Sequence, residues 1–445
     1  MIAAFLLLAL AVQAQDTSRL TLQSVVDRAL DTHPAVAAAQ AARDRSTADL
    51  QDARSRLLPG LNLDGAITRF QQPMIVGPLH GLDLRNPPLF DRTPYQAGLS
   101  LNWTVLDFGK RSAQIRAQSA LRDAAGDALT GTEQQLMTVT VRAYLGVLDA
   151  RELLGAQDRL LAALTAAAAR TRQLEAQGKA AHVDVLRLEA EVQRARADRI
   201  TAAAQLDVAE HQLAQLADTS FGAVHDATLA PLTLTDTTAV SDTTDAARGE
   251  LVSRAMRSSS DVRALEQRSL AARAGVAAAR ATWFPTLQMQ GAYIDRGRWA
   301  GNYSAEWQVG LAMSYPVYTG GSRTSAMQRA SADQRAAQAQ VRAAQLTVEQ
   351  QVDQTLAAIR EAHARVTALQ SAVAQAQEVE RIEQLALDVG TVVQTDYLDA
   401  EAKLYSARAG LIQARHAEIA ARVDLARTLG ELSRDWLARN VESLR

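Results

Sequence analysis

The chain has 445 residues, 22% of them charged, and a formal net charge of −2 at pH 7. This near-zero charge argues against a nucleic-acid-binding protein, which normally carries a clustered basic excess. The sequence contains no cysteine, which excludes disulfide scaffolds, thiol nucleophiles and cysteine-ligated metals. Its length alone would indicate two or three globular domains.

The aromatic residues are few and unevenly placed. They make up 4% of the sequence, and most of them lie in two windows, 61–108 and 283–318. A single globular core would spread its aromatic residues along the chain. The distribution therefore argues against one core of that kind.

The N-terminal residues are typical of a signal peptide. Residues 2–12 are apolar, and Val12-Gln13-Ala14 is a small-residue cleavage pattern. We predict a signal peptide over 1–14 and export of the mature chain; a buried N-terminal helix is the alternative. No later segment approaches the ~20 apolar residues that a transmembrane helix needs.

The sequence is predicted to contain one unit twice, because distant segments match at constant offsets. At an offset of 226, Pro59 falls on Pro285, and at an offset of 212, Gly109 falls on Gly321. The offset changes by 14, which places one length difference in the connectors 67–97 and 293–309.

Each repeat is predicted to contain a helix, two strands and a long helix pair. The predicted segments are a first repeat over 15–218, a linker over 219–247 and a second repeat over 248–445. The predicted strands are 61–70 and 95–106, then 286–295 and 303–317. The predicted long helices are 110–176 and 182–217, then 322–388 and 394–430.

Proline placement favours the long helices. No proline lies between Pro94 and Pro231 or after Pro316, and an interior proline costs a helix ~3 kcal/mol. Apolar residues recur every seventh position at Val352, Ile359, Val366 and Val373. This spacing is typical of a coiled-coil seam. A rod-like coiled coil without a membrane part is the alternative.

The length and alternation of the predicted strands indicate whether they lie in water or in a membrane. Residues 95–106 and 303–317 alternate between apolar and small or polar side chains. Both runs are longer than the ~5–6 residues of an ordinary soluble strand, and they suit tilted membrane strands with lipid on one side and water on the other. A soluble half-buried sheet is the alternative.

Four strands cannot close a barrel, and open sheet edges cannot face lipid. Several chains must therefore contribute strands to one barrel. Two chains would give eight strands around an interior filled by side chains, and three would give twelve around a water-filled lumen. A trimer is the simplest arrangement if the protein conducts anything.

Several motifs follow one another along the chain: Leu20-Thr21-Leu22 with His33-Pro34, Leu106-Asp107-Phe108-Gly109-Lys110-Arg111, Tyr318-Thr319-Gly320-Gly321-Ser322-Arg323, Val389-Gly390-Thr391 and Asp396-Tyr397-Leu398-Asp399-Ala400. In this order they resemble the TolC-type outer-membrane efflux protein family. The resemblance covers essentially the whole mature chain.

The resemblance implies a mainly α-helical chain with a membrane β part. It implies a trimer whose twelve-stranded β-barrel, with four strands per chain, is continued by a long α-helical coiled-coil barrel. It also implies a location in the outer membrane with an extension into the periplasm. The implied function is passive conduction of exported substrates, in a tripartite efflux pump or a type I secretion system. The implied partners are a periplasmic adaptor (membrane fusion) protein and an inner-membrane transporter.

Carboxylates beside the helix turns are predicted to form a pore constriction. In the family, acidic residues beside the inner turn narrow the periplasmic entrance, and Asp396 and Asp399 match those positions. Three copies would form a ring of carboxylates that attracts cations. Two solvated helix-start carboxylates are the alternative. In the first repeat Asp184 persists, but Arg187 replaces the second acid.

The turn and junction residues are predicted by the same resemblance. Turn residues expected to contact the adaptor are Gly178, Val389, Gly390 and Thr391, and the strand-to-helix junctions contain Gly109 and Gly321. Both turn glycines fit helix C-cap positions that tolerate a positive φ. The residues at the family's tip-latch positions are Leu387 and Val392, so that latch is not expected here.

No catalytic set is present in the sequence. The histidines show no paired metal-ligand spacing, and no phosphate loop or nucleophile elbow occurs. We therefore predict neither an enzyme nor a cofactor or metal site. The alternative function, from another class, is a periplasmic coiled-coil adaptor or scaffold protein.

Overall fold

The computed structural model describes residues 20–76, 89–235, 245–298, 301–389, 391–392 and 394–443. The predicted signal peptide (1–14) and Gly390 lie outside these described residues. The chain divides into two compact units. The first comprises Met1–Ala39, Leu129–Ser260 and Gln345–Arg445, and the second comprises Gln40–Ala128 and Asp261–Ala344.

The chain is mainly helical. Its first half contains α1 (Leu22–Thr32), α2 (Pro34–Ser55), β1 (Gly60–Ile67), β2 (Met74–Val76), β3 (Leu89–Asp91), β4 (Tyr95–Leu106), α3 (Lys110–Ala176), α4 (His182–Leu216), α5 (Phe221–His225) and β5 (Leu232–Leu234). Its second half contains α6 (Asp245–Ser258), α7 (Ser260–Ala281), β6 (Thr286–Arg298), β7 (Gly301–Ser314), α8 (Ser322–Asp388), α9 (Gln394–Thr428), α10 (Arg434–Asn440) and β8 (Val441–Ser443).

The long helices occur as two pairs of equal length. α3 and α8 each have 67 residues, and α4 and α9 each have 35. They form where the sequence is free of proline and rich in alanine, glutamine, arginine and leucine, which are good helix formers. α9 ends at Thr428, two residues before the predicted bound, because Gly430 has a φ of +70° that a helix cannot accommodate.

The first unit has a hydrophobic core shared by several helices. α1, α3, α4, α9 and α10 contribute to it, together with β5 and β8. Tyr144 of α3 is fully buried there, and its hydroxyl lies 2.8 Å from the carbonyl oxygen of Leu20 and 2.9 Å from that of Ala230. Burial raises the pKa of Tyr144 to about 12. The buried hydroxyl therefore stays protonated and ties two chain segments to α3.

The second unit contains a four-stranded antiparallel sheet with the strand order β1-β4-β6-β7. The sheet is open: within the described residues β1 and β7 are its two edges and do not pair with each other. β4 and β6 are paired along nearly their whole length, from Tyr95 opposite Gly297 to Leu106 opposite Leu287.

The register separates the sheet into an apolar face and a polar face. Rows of directly opposite residues share one face. Two apolar rows are Leu63–Leu99–Tyr293–Trp307 and Leu61–Leu101–Gly291–Val309. Two rows of the other face are Asn62–Ser100–Ala292–Gln308 and Ala66–Gln96–Arg296–Ser304. The apolar face is open, since Leu63 is 83% exposed and Trp307 is 74% exposed.

Polar contacts between strands occur on the polar face. The Ser100 hydroxyl donates to Asp64 Oδ2 at 3.1 Å, and the Arg296 guanidinium pairs with Glu306 at 2.9 Å. Such cross-strand pairs stabilise a sheet modestly. Both pairs connect adjacent strands and leave the opposite face apolar.

Besides the end of α9, the structure differs from the predicted bounds at several places. β6 extends to Arg298, past the predicted residue 295. β1 ends at Ile67, before the predicted residue 70. β7 ends at Ser314, before residue 317, because Ser314 pairs with the first residue of β6 and Pro316 has no N–H to donate. The segment predicted as a linker contains α5 and β5, and β5 pairs with β8.

Within the described ranges, no helix combines the length and the apolar character needed to cross a membrane.

Candidate functional site

The turn between α3 and α4 is built on Gly178. This residue has a φ of +70°, and its N–H donates to the carbonyl oxygen of Glu175 at 2.8 Å. The Lys179 N–H donates to the carbonyl oxygen of Leu174, also at 2.8 Å. These two bonds are the Schellman pair, which ends a helix at a residue in the left-handed conformation. The left-handed φ of this turn therefore explains why glycine is suited to position 178.

The turn between α8 and α9 contains the same six-to-one hydrogen bond. The Thr391 N–H donates to the carbonyl oxygen of Ala386 at 2.9 Å, and the Thr391 hydroxyl donates to the same oxygen at 3.0 Å. Val389 is 74% exposed. Val389 therefore gives this turn an exposed apolar side chain close to the hydrogen-bonded Thr391.

Three carboxylates lie at the starts of the helices that follow these turns. Asp184 and Asp396 occupy the first turns of α4 and α9, and both are exposed. Carboxylates at these positions interact favourably with the helix dipole. Asp184 is also 3.5 Å from the guanidinium of Arg187, so its charge is partly offset.

Asp399 has a partner that the sequence analysis missed. Its carboxylate is 2.7 Å from Lys403 Nζ, one helical turn further on, and the hydrogen bond raises the pKa of Lys403. The signal was present in the sequence, since an acid followed four residues later by lysine pairs on a helix surface. Asp396 has no hydrogen-bond or ion-pair partner in the part of the chain that the structure describes. Asp396 is therefore the less compensated of the two charges.

Tyr397 lies between these two aspartates and faces acidic neighbours. Burial raises its pKa, and the charges of Glu401 and Glu380 act in the same direction. Glu380 belongs to α8, so the acidic neighbours of Tyr397 lie on both helices of this pair.

The first helix pair is held by charged contacts close to its turn. Arg172 of α3 is 2.6 Å from Glu189 of α4, and Glu175 of α3 is 2.7 Å from His182 of α4. The sequence analysis did not predict a role for His182. These contacts connect the ends of the two helices.

The first helix pair also contacts the second through α3 and α9. The guanidinium carbon of Arg159 lies 3.4 Å from the centre of the Tyr405 ring, and Asp149 is 2.6 Å from His416. A guanidinium over a tyrosine ring is attracted by the ring quadrupole. Neither pair was predicted, because no spacing within one segment indicates it.

The strand-to-helix junctions share one backbone conformation. Phe108 and Gly109 have φ values of +51° and +88°, and Gly320 and Gly321 have +58° and +85°. Two successive left-handed residues turn the chain from each strand into the following helix. Gly109 and Gly321 therefore lie where only glycine adopts the required φ without strain.

The first junction is stabilised by Asp107. Its carboxylate accepts hydrogen bonds from the backbone N–H groups of Gly109 and Arg111 and is 2.7 Å from Arg111 Nε. Burial raises the pKa of Asp107, but the hydrogen bonds and charge of Arg111 outweigh it and hold the pKa below its usual value. The second junction has Thr319 at this position.

These residues give exposed acidic helix starts beside the two helix turns, and the described ones include no catalytic constellation. Among the described residues, no group of histidine, aspartate and glutamate side chains is arranged to hold a metal ion.

Comparisons with known proteins identify the family of this chain. The family described as Outer membrane efflux protein matches residues 25–218 and 251–431. The chain belongs to this family. The family consists of channel proteins, not enzymes.

Relatives and solved structures agree with this membership. The chain is 25% identical to the outer membrane protein TolC of Vibrio cholerae over 423 residues, covering 93% of this chain and 91% of the relative. It is 26% identical to TolC of Escherichia coli over 437 residues, covering 94% and 84%. It is similar in fold to the outer membrane protein VceC of Vibrio cholerae, with 19% identity, a TM-score of 0.74 and coverage of 92% and 96%.

Proposed function

We propose that this protein is the outer-membrane channel of a tripartite efflux pump or a type I secretion system, conducting exported substrates passively from the periplasm to the exterior. The observation that carries the proposal is the two-faced sheet. Its apolar rows would face lipid, and its polar rows would line a water-filled lumen. Membership of a channel family supports the same conclusion.

The open edges support a homotrimer. β1 and β7 are edge strands within the described residues, and an unpaired edge cannot face lipid. Pairing β1 of one chain with β7 of the next would close the sheet. Three chains would give twelve strands and a lumen wide enough for water.

Equivalent geometry in the two halves supports the internal duplication. α3 and α8 begin and end at positions 212 apart, as do α4 and α9. Asp218 and Gly430, which follow α4 and α9, are also 212 apart, and both have positive φ. Two similar hairpins per chain would give a twelve-helix barrel in the trimer, extending into the periplasm.

The turns are proposed as the contact with the periplasmic adaptor, which would connect the channel to an inner-membrane transporter. Val389 and Thr391 present an exposed apolar and hydroxyl surface, and Gly178 fixes the other turn. Gly390, outside the described residues, is included on the sequence pattern alone. Asp396, Asp399 and Asp184 are proposed to surround the entrance and attract cations.

Fractionation and electrophysiology test the proposal. We expect the full chain to be recovered from outer membranes. In gel electrophoresis it should migrate as a trimer unless the sample is heated first, and it should conduct ions in planar lipid bilayers. Trp307→Arg should abolish assembly, because a lipid-facing arginine costs ~2–4 kcal/mol near the bilayer midplane. Gln308→Arg, one residue away on the polar face, should assemble. Recovery of the wild type as a soluble periplasmic monomer would contradict the proposal and favour an adaptor or scaffold.

A further inference from the structure

An arginine occupies the same position in both strand-to-helix junctions. Arg111 and Arg323 are the second residues of α3 and α8, and they lie 212 positions apart. A cation in the first turn of a helix is disfavoured by the helix dipole. In the first junction the carboxylate of Asp107 offsets this cost, because it lies 2.7 Å from Arg111 Nε. The charge of Arg111 is therefore neutralised by a residue of its own junction.

The second junction has no acid in the equivalent place. Thr319 occupies the position that corresponds to Asp107, and Arg323 makes no ion pair within the described part of the chain. Its guanidinium donates a hydrogen bond to the carbonyl oxygen of Pro316. A guanidinium carries five N–H donors, so Arg323 keeps both its net charge and free donors for another group.

Two aromatic rings lie beside the Arg323 guanidinium. Its central carbon is 5.3 Å from the centre of the Tyr315 ring and 5.7 Å from the centre of the Trp283 ring. Such rings attract a cation without cancelling its charge. Tyr315 is 49% exposed and Trp283 is 46% exposed. Arg323, Trp283 and Tyr315 therefore form an open surface, named here the Arg323 patch, that is both aromatic and cationic.

The Arg323 patch continues the apolar face of the sheet. Met313, opposite Leu287 on that face, is 73% exposed, and Tyr315 follows it two residues later. Next to Trp283, the Phe284 ring stacks on another ring of the first junction at a centroid distance of 5.1 Å. Tryptophan and tyrosine at the edge of an apolar surface are typical of a membrane–water interface. The patch thus lies where the apolar face ends and the long helices begin.

We propose that the Arg323 patch binds the phosphodiester of an anionic phospholipid in the periplasmic leaflet of the outer membrane, with the acyl chains along the apolar face. This inference rests on the proposed function, in which that face contacts lipid. Guanidinium N–H groups match phosphate oxygens in geometry and charge. The uncompensated charge favours a lipid of net negative charge over a zwitterionic one. A trimer would have three such sites, one per chain, because Arg111 is already paired.

Lipid binding to the full-length trimer tests the inference. Phosphatidylglycerol or phosphatidylethanolamine is added to the detergent-solubilised trimer, and the bound lipids are counted by native mass spectrometry. We expect the wild type to bind phosphatidylglycerol more tightly than phosphatidylethanolamine. Arg323→Gln should raise the Kd for phosphatidylglycerol by roughly 5-fold, the contribution of one cation near an anionic lipid surface.

Two further variants separate lipid binding from effects on folding. Thr319→Asp introduces the acid that the first junction has, so Arg323 should become paired and the Kd should rise as in Arg323→Gln. The junction should stay intact, since Asp107 has this role in the first one. Arg335→Gln removes the same charge from an exposed position about 18 Å further along α8, and it should leave the Kd unchanged.

Inorganic phosphate distinguishes a lipid site from a simple phosphate site. A large excess should not displace phosphatidylglycerol, because only the lipid also has acyl chains on the apolar face. Displacement would overturn the proposal, since the phosphate group alone would then account for binding.

The remaining outcomes distinguish this inference from the proposed function. A trimer that conducts ions but binds phosphatidylglycerol equally well in the wild type, Arg323→Gln and Thr319→Asp overturns the lipid site and leaves the channel function intact. An equal loss in Arg335→Gln also overturns the site, because net charge would then explain the binding. A wild type that is absent from the outer membrane overturns both.

Discussion

Gly178 and Gly430 have the same backbone conformation in different surroundings. Both have a φ of +70°. A Cβ added at Gly178 would meet no atom within 4 Å, whereas one at Gly430 would lie 2.1 Å from the carbonyl oxygen of Ser258. Alanine substitutions at these two glycines therefore separate the free-energy cost of a left-handed backbone from that of a steric clash.

We expect Gly178→Ala to lower the free energy of unfolding by about 1 kcal/mol, the cost of a left-handed alanine. Gly430→Ala should cost roughly 1–3 kcal/mol more, because the backbone oxygen must move. Urea denaturation of the detergent-solubilised protein measures both. As a control, Gly155→Ala inside α3 meets no atom within 4 Å and should stabilise by ~0.5–1 kcal/mol. Equal losses for Gly178→Ala and Gly430→Ala would show that the clash is relieved without cost.

The two aspartates of α9 should contribute unequally to cation binding at the entrance. Lys403 offsets Asp399, whereas Asp396 has no partner among the described residues. We expect Asp396→Asn to weaken divalent-cation block of the current by roughly 3- to 10-fold, and Asp399→Asn to weaken it less. The double change Asp396→Ala with Asp399→Ala should weaken it most.

Single-channel recordings over a range of divalent-cation concentrations measure this block. Asp198→Asn, an exposed change further along α4, is the matched control and should leave the block unchanged. If divalent cations block the double variant as strongly as the wild type, neither aspartate forms part of the proposed constriction.

At the scale of elements, a network of hydrogen-bonded charged side chains around a buried carboxylate connects α5 to α3 and α4. Glu210 of α4 is buried, and its carboxylate accepts hydrogen bonds from Arg151 of α3 at 2.7 Å and from His225 of α5 at 2.7 Å. Arg151 also donates to backbone carbonyls of the segment that follows α4, at Val224 and Ala227. Removing one partner of such a buried ion pair is strongly destabilising.

The His225 bond predicts a pH dependence of stability. The hydrogen bond and charge of Glu210 raise the pKa of His225, and Asp226 acts in the same direction while Arg151 opposes it. The stabilisation is therefore complete below the ordinary histidine pKa and is lost as the pH rises through the raised value. Thermal unfolding should show a lower midpoint at about pH 9 than at about pH 6.

His225→Gln should reduce this pH dependence, whereas His33→Gln, which removes an imidazole without an acidic partner in the described structure, should not. A pH profile that is unchanged by His225→Gln would show that the bond does not contribute to stability.

The sequence was sufficient to predict the helices and strands that depend on the residue pattern within one segment. Alternation over 95–106 is sufficient to predict β4, and the proline-free tracts are sufficient for α3 and α8, because period and proline content act within one segment. The network of Arg151, Glu210 and His225 could not be predicted, since it joins three elements with no shared spacing. The β2–β3 hairpin was missed because its strands have only three residues each, too few for a period to show.

The candidate site was predictable to a similar degree. Gly178 was predicted at a helix C-cap that tolerates a positive φ, and the structure has a positive φ there. Gly109 and Gly321 were predicted only as residues of the strand-to-helix junctions, and their positive φ was not predicted. The roles of these residues in the channel stay predictions. The offset of the Asp399 charge by Lys403 was missed, since each aspartate was considered without its neighbours one helical turn away.

At the scale of the whole molecule, one chain leaves a large apolar surface exposed. Leu63, Trp307, Val309 and Met313 are each more than 60% exposed on the sheet. Burying a side chain of this kind contributes about 1.5–3 kcal/mol, and contiguous apolar patches on a protein surface mark lipid or partner contacts. In the proposed channel, assembly and membrane insertion would remove this surface from water.

Cysteine accessibility along β7 tests the central claim most directly, because the chain has no cysteine of its own. Single cysteines replace the polar-face residues Glu306 and Gln308 and the apolar-face residues Trp307 and Val309. In outer membranes, a water-soluble maleimide should label the first two and leave the second two unlabelled. Uniform labelling, or labelling of the Trp307 and Val309 positions alone, would contradict a sheet with lipid on its apolar face and water on its polar face.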